Sequence, residues 1–210
     1  ILLSAAGIMV KLFGFVYRVV LTNLPGYGDA GNGLYGVGYQ VYLVLYALST
    51  TGFPAAIAKL VAERTALGDW RGAHRIFRVS FWMLSASGVL LSLLLFLSSG
   101  MIAKAISNSA AFYTMVAISP TIFFVSVMSV FRGYFQGMQD MSPQAYSQIA
   151  EQMGKTVSTI VLAYMLLPFG VEYAAAGATL GTTIGAATGA AYLWNLYGRR
   201  KQELWARIRE

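Results

Sequence analysis

Five residues near the start of the chain, Ser4, Gly7, Lys11, Gly14 and Arg18, recur at intervals of three and four. On an α-helix that spacing puts all five on one face, with Leu2, Met9, Leu12, Phe13, Val16 and Val20 on the other. The two cations stand seven positions apart, about 10.5 Å along the axis at 1.5 Å per residue. The glycines between them leave room for a bulky group beside the backbone. Such a pair can hold a phosphate or diphosphate through charge-assisted hydrogen bonds, about twice as strong as neutral ones. The setting is apolar, and a cation amid hydrocarbon costs about 2.5–3.5 kcal/mol on insertion scales. Lys11 is therefore expected to face a wet cavity or a partner. Arg18, nearer the helix end, has snorkelling as an alternative.

A second polar stripe runs through Gln148, Glu151 or Gln152, Lys155, and Ser158 or Thr159. Glu151 and Lys155 are four apart, the spacing of an ion pair within one helix. Two readings stay open: the pair neutralises itself, or the stripe faces the same cavity as Lys11 and Arg18. Gly52 and Pro54 follow Ser49, Thr50 and Thr51. Proline removes a backbone donor and frees a carbonyl one turn earlier, so this is the candidate hinge, with a static bend as the alternative. Gly177, Gly181, Gly185 and Gly189 form a small-residue ridge suited to close helix packing.

Enzyme chemistry is not legible here. His74 is the only histidine and cysteine is absent, which removes the usual ingredients of a metal site or a catalytic triad. No GxxxxGK[ST] loop occurs. Asp29, Asp140 and Glu172 fall at expected loops and are read as solvated. Neither a metal nor a cofactor is expected, and the chain is read as a non-enzyme.

The elements that must position these stripes follow from composition. Of 210 residues, 57% are hydrophobic and 11% charged, against about 25% charged in soluble domains. Disorder and a soluble core are both excluded, and the continuous apolar runs disfavour a β-barrel. What remains is an all-α membrane protein. Residues 30–58, 79–103, 105–131 and 173–198 contain no Asp, Glu, Lys or Arg, and each can hold a span of about 20 residues. With the two charged stripes this gives a six-helix transmembrane bundle over 1–22, 33–57, 79–99, 112–132, 145–167 and 173–197, forming a lobe over 1–198.

Lys and Arg set the orientation. One side would hold Lys59, Arg64, Arg71, Arg75, Arg78, Arg132, Arg199, Arg200, Lys201, Arg207 and Arg209; the other holds Lys104. By the positive-inside rule both ends are cytoplasmic. This topology accounts for the net charge of +7, so no nucleic-acid partner is expected. The basic segment 199–210 either lies on the inner leaflet through Leu204, Trp205 and Ile208 or is a solvated linker to a further span. The chain opens inside an apolar segment without a methionine and is expected to be a fragment of a longer protein.

Lys11–Leu21 (KLFGFVYRVVL), Gly31–Tyr39 (GNGLYGVGY), Leu48–Arg64 (LSTTGFPAAIAKLVAER) and Phe131–Glu151 (FRGYFQGMQDMSPQAYSQIAE) together resemble the polysaccharide-biosynthesis and stage-V-sporulation-B type proteins. These belong to the multidrug/oligosaccharidyl-lipid/polysaccharide flippase superfamily. The resemblance implies one lobe of a two-lobed, MATE-like flippase, with the C-terminal lobe missing here. It implies movement of undecaprenyl-diphosphate-linked saccharides, lipid II among them, across the bacterial cytoplasmic membrane by alternating access. Basic residues in the family's first helix match Lys11 and Arg18. The alternatives are a multidrug exporter lobe, disfavoured by the lack of a carboxylate in the first helix, and a non-transporting scaffold of a cell-envelope complex.

Overall fold

The structure is a computed structural model that describes residues 2–50 and 52–209, with side chains described outside 2–3, 41–42, 45–50 and 201–209. Among the described residues the chain is all-helical. Eight α-helices run in the order α1 (Leu2–Thr22), α2 (Gly28–Thr50), α3 (Phe53–Ala66), α4 (Trp70–Ala105), α5 (Ala111–Ile118), α6 (Thr121–Gly137), α7 (Ser142–Leu166) and α8 (Val171–Arg209). A 3-10 turn, Leu167–Phe169, joins the last two. Three stretches are long and apolar enough to cross a membrane by length and composition: Ser4–Thr22, Trp70–Ala105 and Ala111–Gly137.

The elements differ from the expected spans in three places, each with a local cause. The span expected over 33–57 is two helices. Gly52 takes φ +83°, a left-handed conformation that glycine adopts without a Cβ clash, and α3 restarts with Pro54 in its first turn. Proline fits there because first-turn N–H groups have no intrahelical acceptor. The span expected over 112–132 is broken at Pro120. The Val116 carbonyl that Pro120 cannot serve accepts instead from Ser119 Oγ at 2.9 Å, and Ser92 Oγ caps the Ser119 carbonyl at 2.8 Å. The span expected over 173–197 does not stop at Gly198, because α8 continues as helix to Arg209. At 1.5 Å per residue α8 is about 58 Å long, well beyond a hydrocarbon core of about 30 Å. The face that Leu204, Trp205 and Ile208 present lies outside the described residues.

The basic loop expected between the second and third spans is a helical hairpin. Its turn has Gly68 at φ +72°, and Asp69 caps α4 by accepting from Gly72 N at 2.8 Å.

Helix α6 runs through the middle of the bundle. Ile122, Val125, Met128, Val130, Phe131 and Phe135 are buried on several of its faces, as expected for a helix that is apolar all round. Small residues let its neighbours approach. A Cβ on Gly133 would lie 2.8 Å from the Pro54 carbonyl oxygen, and one on Gly137 would lie 2.7 Å from that of Ala58. The glycine ridge of α8 does the same for α7: a Cβ on Gly185 would stand 2.7 Å from the Glu151 carbonyl oxygen, and one on Gly181 2.6 Å from Thr159 Cα. The ridge is therefore a packing surface, and it brings the polar face of α7 into the interior.

Candidate functional site

That polar face carries Ser147, Glu151, Lys155 and Thr159 at four-residue steps. Its two charges part company. Glu151 accepts from Arg132 of α6 at 2.9 Å, and Arg132 Nε donates to Ser147 Oγ at 3.0 Å. The Glu151 carboxylate is thus committed across a helix–helix interface. The pair foreseen within α7, Glu151 with Lys155, is absent among the described ion pairs.

Lys155 is left buried, at 6% exposure, with no described carboxylate in ion-pair range. Its stem leaves α7 beside Gly185, where a side chain would collide with Lys155 Cβ. Its ammonium ends 5.0 Å from the ring centroid of Tyr17 on α1 and 5.0 Å from that of Tyr39 on α2. Each ring face attracts a cation by about 2 kcal/mol or more when desolvated. The two rings hold Lys155 in place without cancelling its charge.

The surroundings are hydroxyl-rich. Tyr39 stacks on Tyr35 with centroids 5.8 Å apart. The Tyr35 hydroxyl, with the Tyr17 and Thr182 hydroxyls as neighbours, is buried without a well-formed hydrogen bond, as are the hydroxyls of Thr156 and Thr182. Buried polar groups of this kind are satisfied by water or by a polar ligand.

Tyr17, Tyr35 and Tyr39 also line a cleft of about 440 Å³ between α1 and α2, with Arg18, Asn32 and Gln40 among its walls. No carboxylate lines it. A cationic wall with amide and phenol donors, backed by a buried ammonium, is complementary to an anion.

The expected residues are thus only partly brought together. Arg18 is exposed and on the cleft; Lys11 is exposed and does not line it. A Cβ on Gly7 or Gly14 would meet nothing within 4 Å, so the stripe of α1 is open. Gln148, Gln152 and Ser158 are half-buried. Gly52 and Pro54 form the α2–α3 joint. Pocket-lining Tyr17, Tyr35 and Tyr39 were not singled out from the sequence. The signals that could have found them are the four-residue spacing of Tyr35 and Tyr39 and the adjacency of Tyr17 to Arg18.

A helical bundle with three stretches long and apolar enough to cross a membrane and a buried lysine held by two tyrosine rings reads as a multi-pass membrane protein with a polar interior. The chain belongs to the polysaccharide biosynthesis protein family, whose profile matches residues 1–209. It is 36% identical to stage V sporulation protein B of Bacillus subtilis (strain 168), over 85% of this chain and 34% of that protein. It is 27% identical to the lipid II flippase MurJ of the same organism, over 93% of this chain and 38% of that protein. An uncharacterized membrane protein of that organism, YabM, is 31% identical over 84% of this chain and 32% of its own length. The chain spans about a third of the length of these relatives. No solved structure gives a significant match.

Proposed function

We propose that this chain is the N-terminal, six-span lobe of a two-lobed transporter that moves diphosphate-linked saccharides on a prenyl carrier across the bacterial cytoplasmic membrane. The observation that carries this reading is Lys155, a buried cation with no described carboxylate in ion-pair range, behind a cleft bearing Arg18. An ionisable group inside a span is costly and is kept for function. An incoming diphosphate supplies the missing negative charge. Lys11, on the same open stripe as Arg18, adds a third cation at the mouth of the lobe. Gln148, Gln152 and Ser158 offer amide and hydroxyl groups to the saccharide, while the prenyl chain stays in the bilayer.

Alternating access requires the lobe to rock or flex around the site, and the Gly52–Pro54 joint is the point where α2 and α3 can change angle. The basic ends face the cytoplasm, and 199–210 leads toward the second lobe. The MurJ relative is described as a flippase for lipid II, which supports a substrate of this kind.

The test uses the full-length protein in proteoliposomes with a fluorescent prenyl-diphosphate saccharide. The wild type should translocate it, and Lys155→Met should lose at least tenfold in rate at equal protein. The same prenyl chain ending in a neutral alcohol should not be moved. Equal transport by Lys155→Met, or equal transport of the neutral lipid, would sink the reading.

A further inference from the structure

A second cleft, distant in sequence from the Lys155 site, lies in the α3–α4 hairpin. It encloses about 560 Å³ between Leu60 and Arg64 of α3 and Arg75, Ile76, Val79 and Met83 of α4. Its chemistry changes along its length. Arg75, Val79 and Met83 stand four residues apart on one face of α4, and Leu60 and Arg64 do so on α3. The end near the turn is therefore guanidinium-lined and the other end is aliphatic. The change falls where the charge-free run of α4 begins, at Val79, the level at which a spanning α4 would pass from headgroup to hydrocarbon. Val79 and Met83 are 58% and 56% exposed, and Leu60 47%, so the aliphatic end is open from the side.

The charges at the mouth do not cancel. Asp69 is the one carboxylate among the lining residues. It is already engaged by Arg64 Nη1 at 3.3 Å and by Gly72 N at 2.8 Å. Arg75 is exposed and has no described ion pair. A basic notch above an aliphatic groove at the bilayer interface matches a lipid with an anionic headgroup. A zwitterionic headgroup would set its own cation against Arg75.

We infer that the α3–α4 cleft is a binding site for an anionic glycerophospholipid of the leaflet on the basic side of the bundle. The phosphodiester sits on Arg75, assisted by Arg64, and one acyl chain lies along Val79 and Met83. The site is independent of the transport reading, because it shares no residue with the Lys155 cleft. A lipid held here would clamp the hairpin that continues directly from the Gly52 joint.

The test is native mass spectrometry of the full-length protein in detergent with phosphatidylglycerol or phosphatidylcholine of identical acyl chains. Bound phosphatidylglycerol should exceed phosphatidylcholine at least fivefold. Arg75→Gln should remove most of that excess, while Arg71→Gln, which changes a neighbouring arginine outside the cleft, should keep it. A phosphatidylglycerol carrying a photoreactive acyl chain should cross-link to the α4 peptide containing Val79 and Met83, in the wild type and without any substitution. Equal binding of the two lipids, an unchanged excess in Arg75→Gln, or cross-linking confined to other helices would overturn the assignment. Displacement of the lipid by inorganic phosphate at matched concentration would show a plain anion site and overturn it too.

Discussion

The Lys155 ammonium lies 5.0 Å from the ring centroid of Tyr17, joining the middle of α7 to α1. That contact and its counterpart with Tyr39 are the described electrostatic compensation for a cation at 6% exposure. Removing the rings should therefore expose the cost of the charge. Tyr17→Leu and Tyr39→Leu are each expected to destabilise the bundle by about 2–3 kcal/mol, the worth of one desolvated ring contact plus lost packing. In a Lys155→Met background the same substitutions should cost clearly less. Thermal unfolding of the wild type, the three single variants and the two double variants in detergent gives the coupling of each ring directly. A coupling energy of zero would mean that the rings merely neighbour the ammonium.

Glu151 and Arg132 form an interior charge pair, with side chains 23% and 15% exposed. Breaking one partner of a buried pair leaves an uncompensated charge and costs about 3–5 kcal/mol. Glu151→Met should show a loss toward the lower end of that range, because the pair is part-buried and Arg132 would keep only Ser147 Oγ and a long contact to Met128 Sδ at 3.7 Å. The double variant Arg132→Met/Glu151→Met should recover most of it, since apolar replacement of a buried pair is often neutral. A double variant as unstable as the single one would show that the hydrogen bonds to Ser147, and not the charge balance, hold this interface.

These pairings mark the limit of what sequence alone conveys. Helix α1, α4 and the α5–α6 unit are legible because a span needs only length and apolarity, both of which are properties of one segment. The breaks at Gly52 and Pro120 are written in residue types. The partner of Glu151 is not, because Lys155 sits one turn along the same helix and Arg132 sits nineteen positions back. The glycine ridge decides the matter: by drawing α7 against α8 it turns Glu151 toward α6 and leaves Lys155 reaching past Gly185 to α1 and α2. Likewise nothing local tells that Tyr39 will meet a lysine more than a hundred positions later.

At the basic end, Asp140 accepts from Arg200, tying the extension of α8 to the turn before α7. It is a paired group, where a solvated one was expected. Asp140 Oδ1 also takes the Ser142 N–H at 3.0 Å, at the start of α7. Burial alone would raise this carboxyl. The hydrogen bonds from Arg200 and Ser142 and the guanidinium charge outweigh it and hold Asp140 below its ordinary value of 3.8. A carboxyl lowered in the folded state lends stability that is complete above the unfolded value and is lost as pH falls through the folded one. The α8 extension should therefore keep its docking at neutral pH and loosen only below pH 3.8. Hydrogen exchange in 195–209 across that range would follow it, and Asp140→Asn should give the loosened pattern already at pH 7. Protection in Asp140→Asn equal to wild type at pH 7 would show that the pair does not hold the extension.

The joint between α2 and α3 separates conformation from packing. Gly52 has φ +83°, and a Cβ there would meet nothing within 4 Å. Gly52→Ala therefore acts through the backbone alone. The left-handed conformation costs a residue with a Cβ about 1–2 kcal/mol, and the substitution should push the joint toward continuous helix. Pro54 behaves differently. It occupies the first turn of α3, where the missing N–H has no intrahelical acceptor to serve, so Pro54→Ala should change stability by less than about 0.5 kcal/mol. If the joint flexes during transport, Gly52→Ala in the full-length protein should slow translocation of the lipid-linked saccharide several-fold at normal expression, with Pro54→Ala near wild type. Wild-type rates for Gly52→Ala would make the joint a static bend. A large loss for Pro54→Ala alone would place the constraint in the proline ring and not in the glycine.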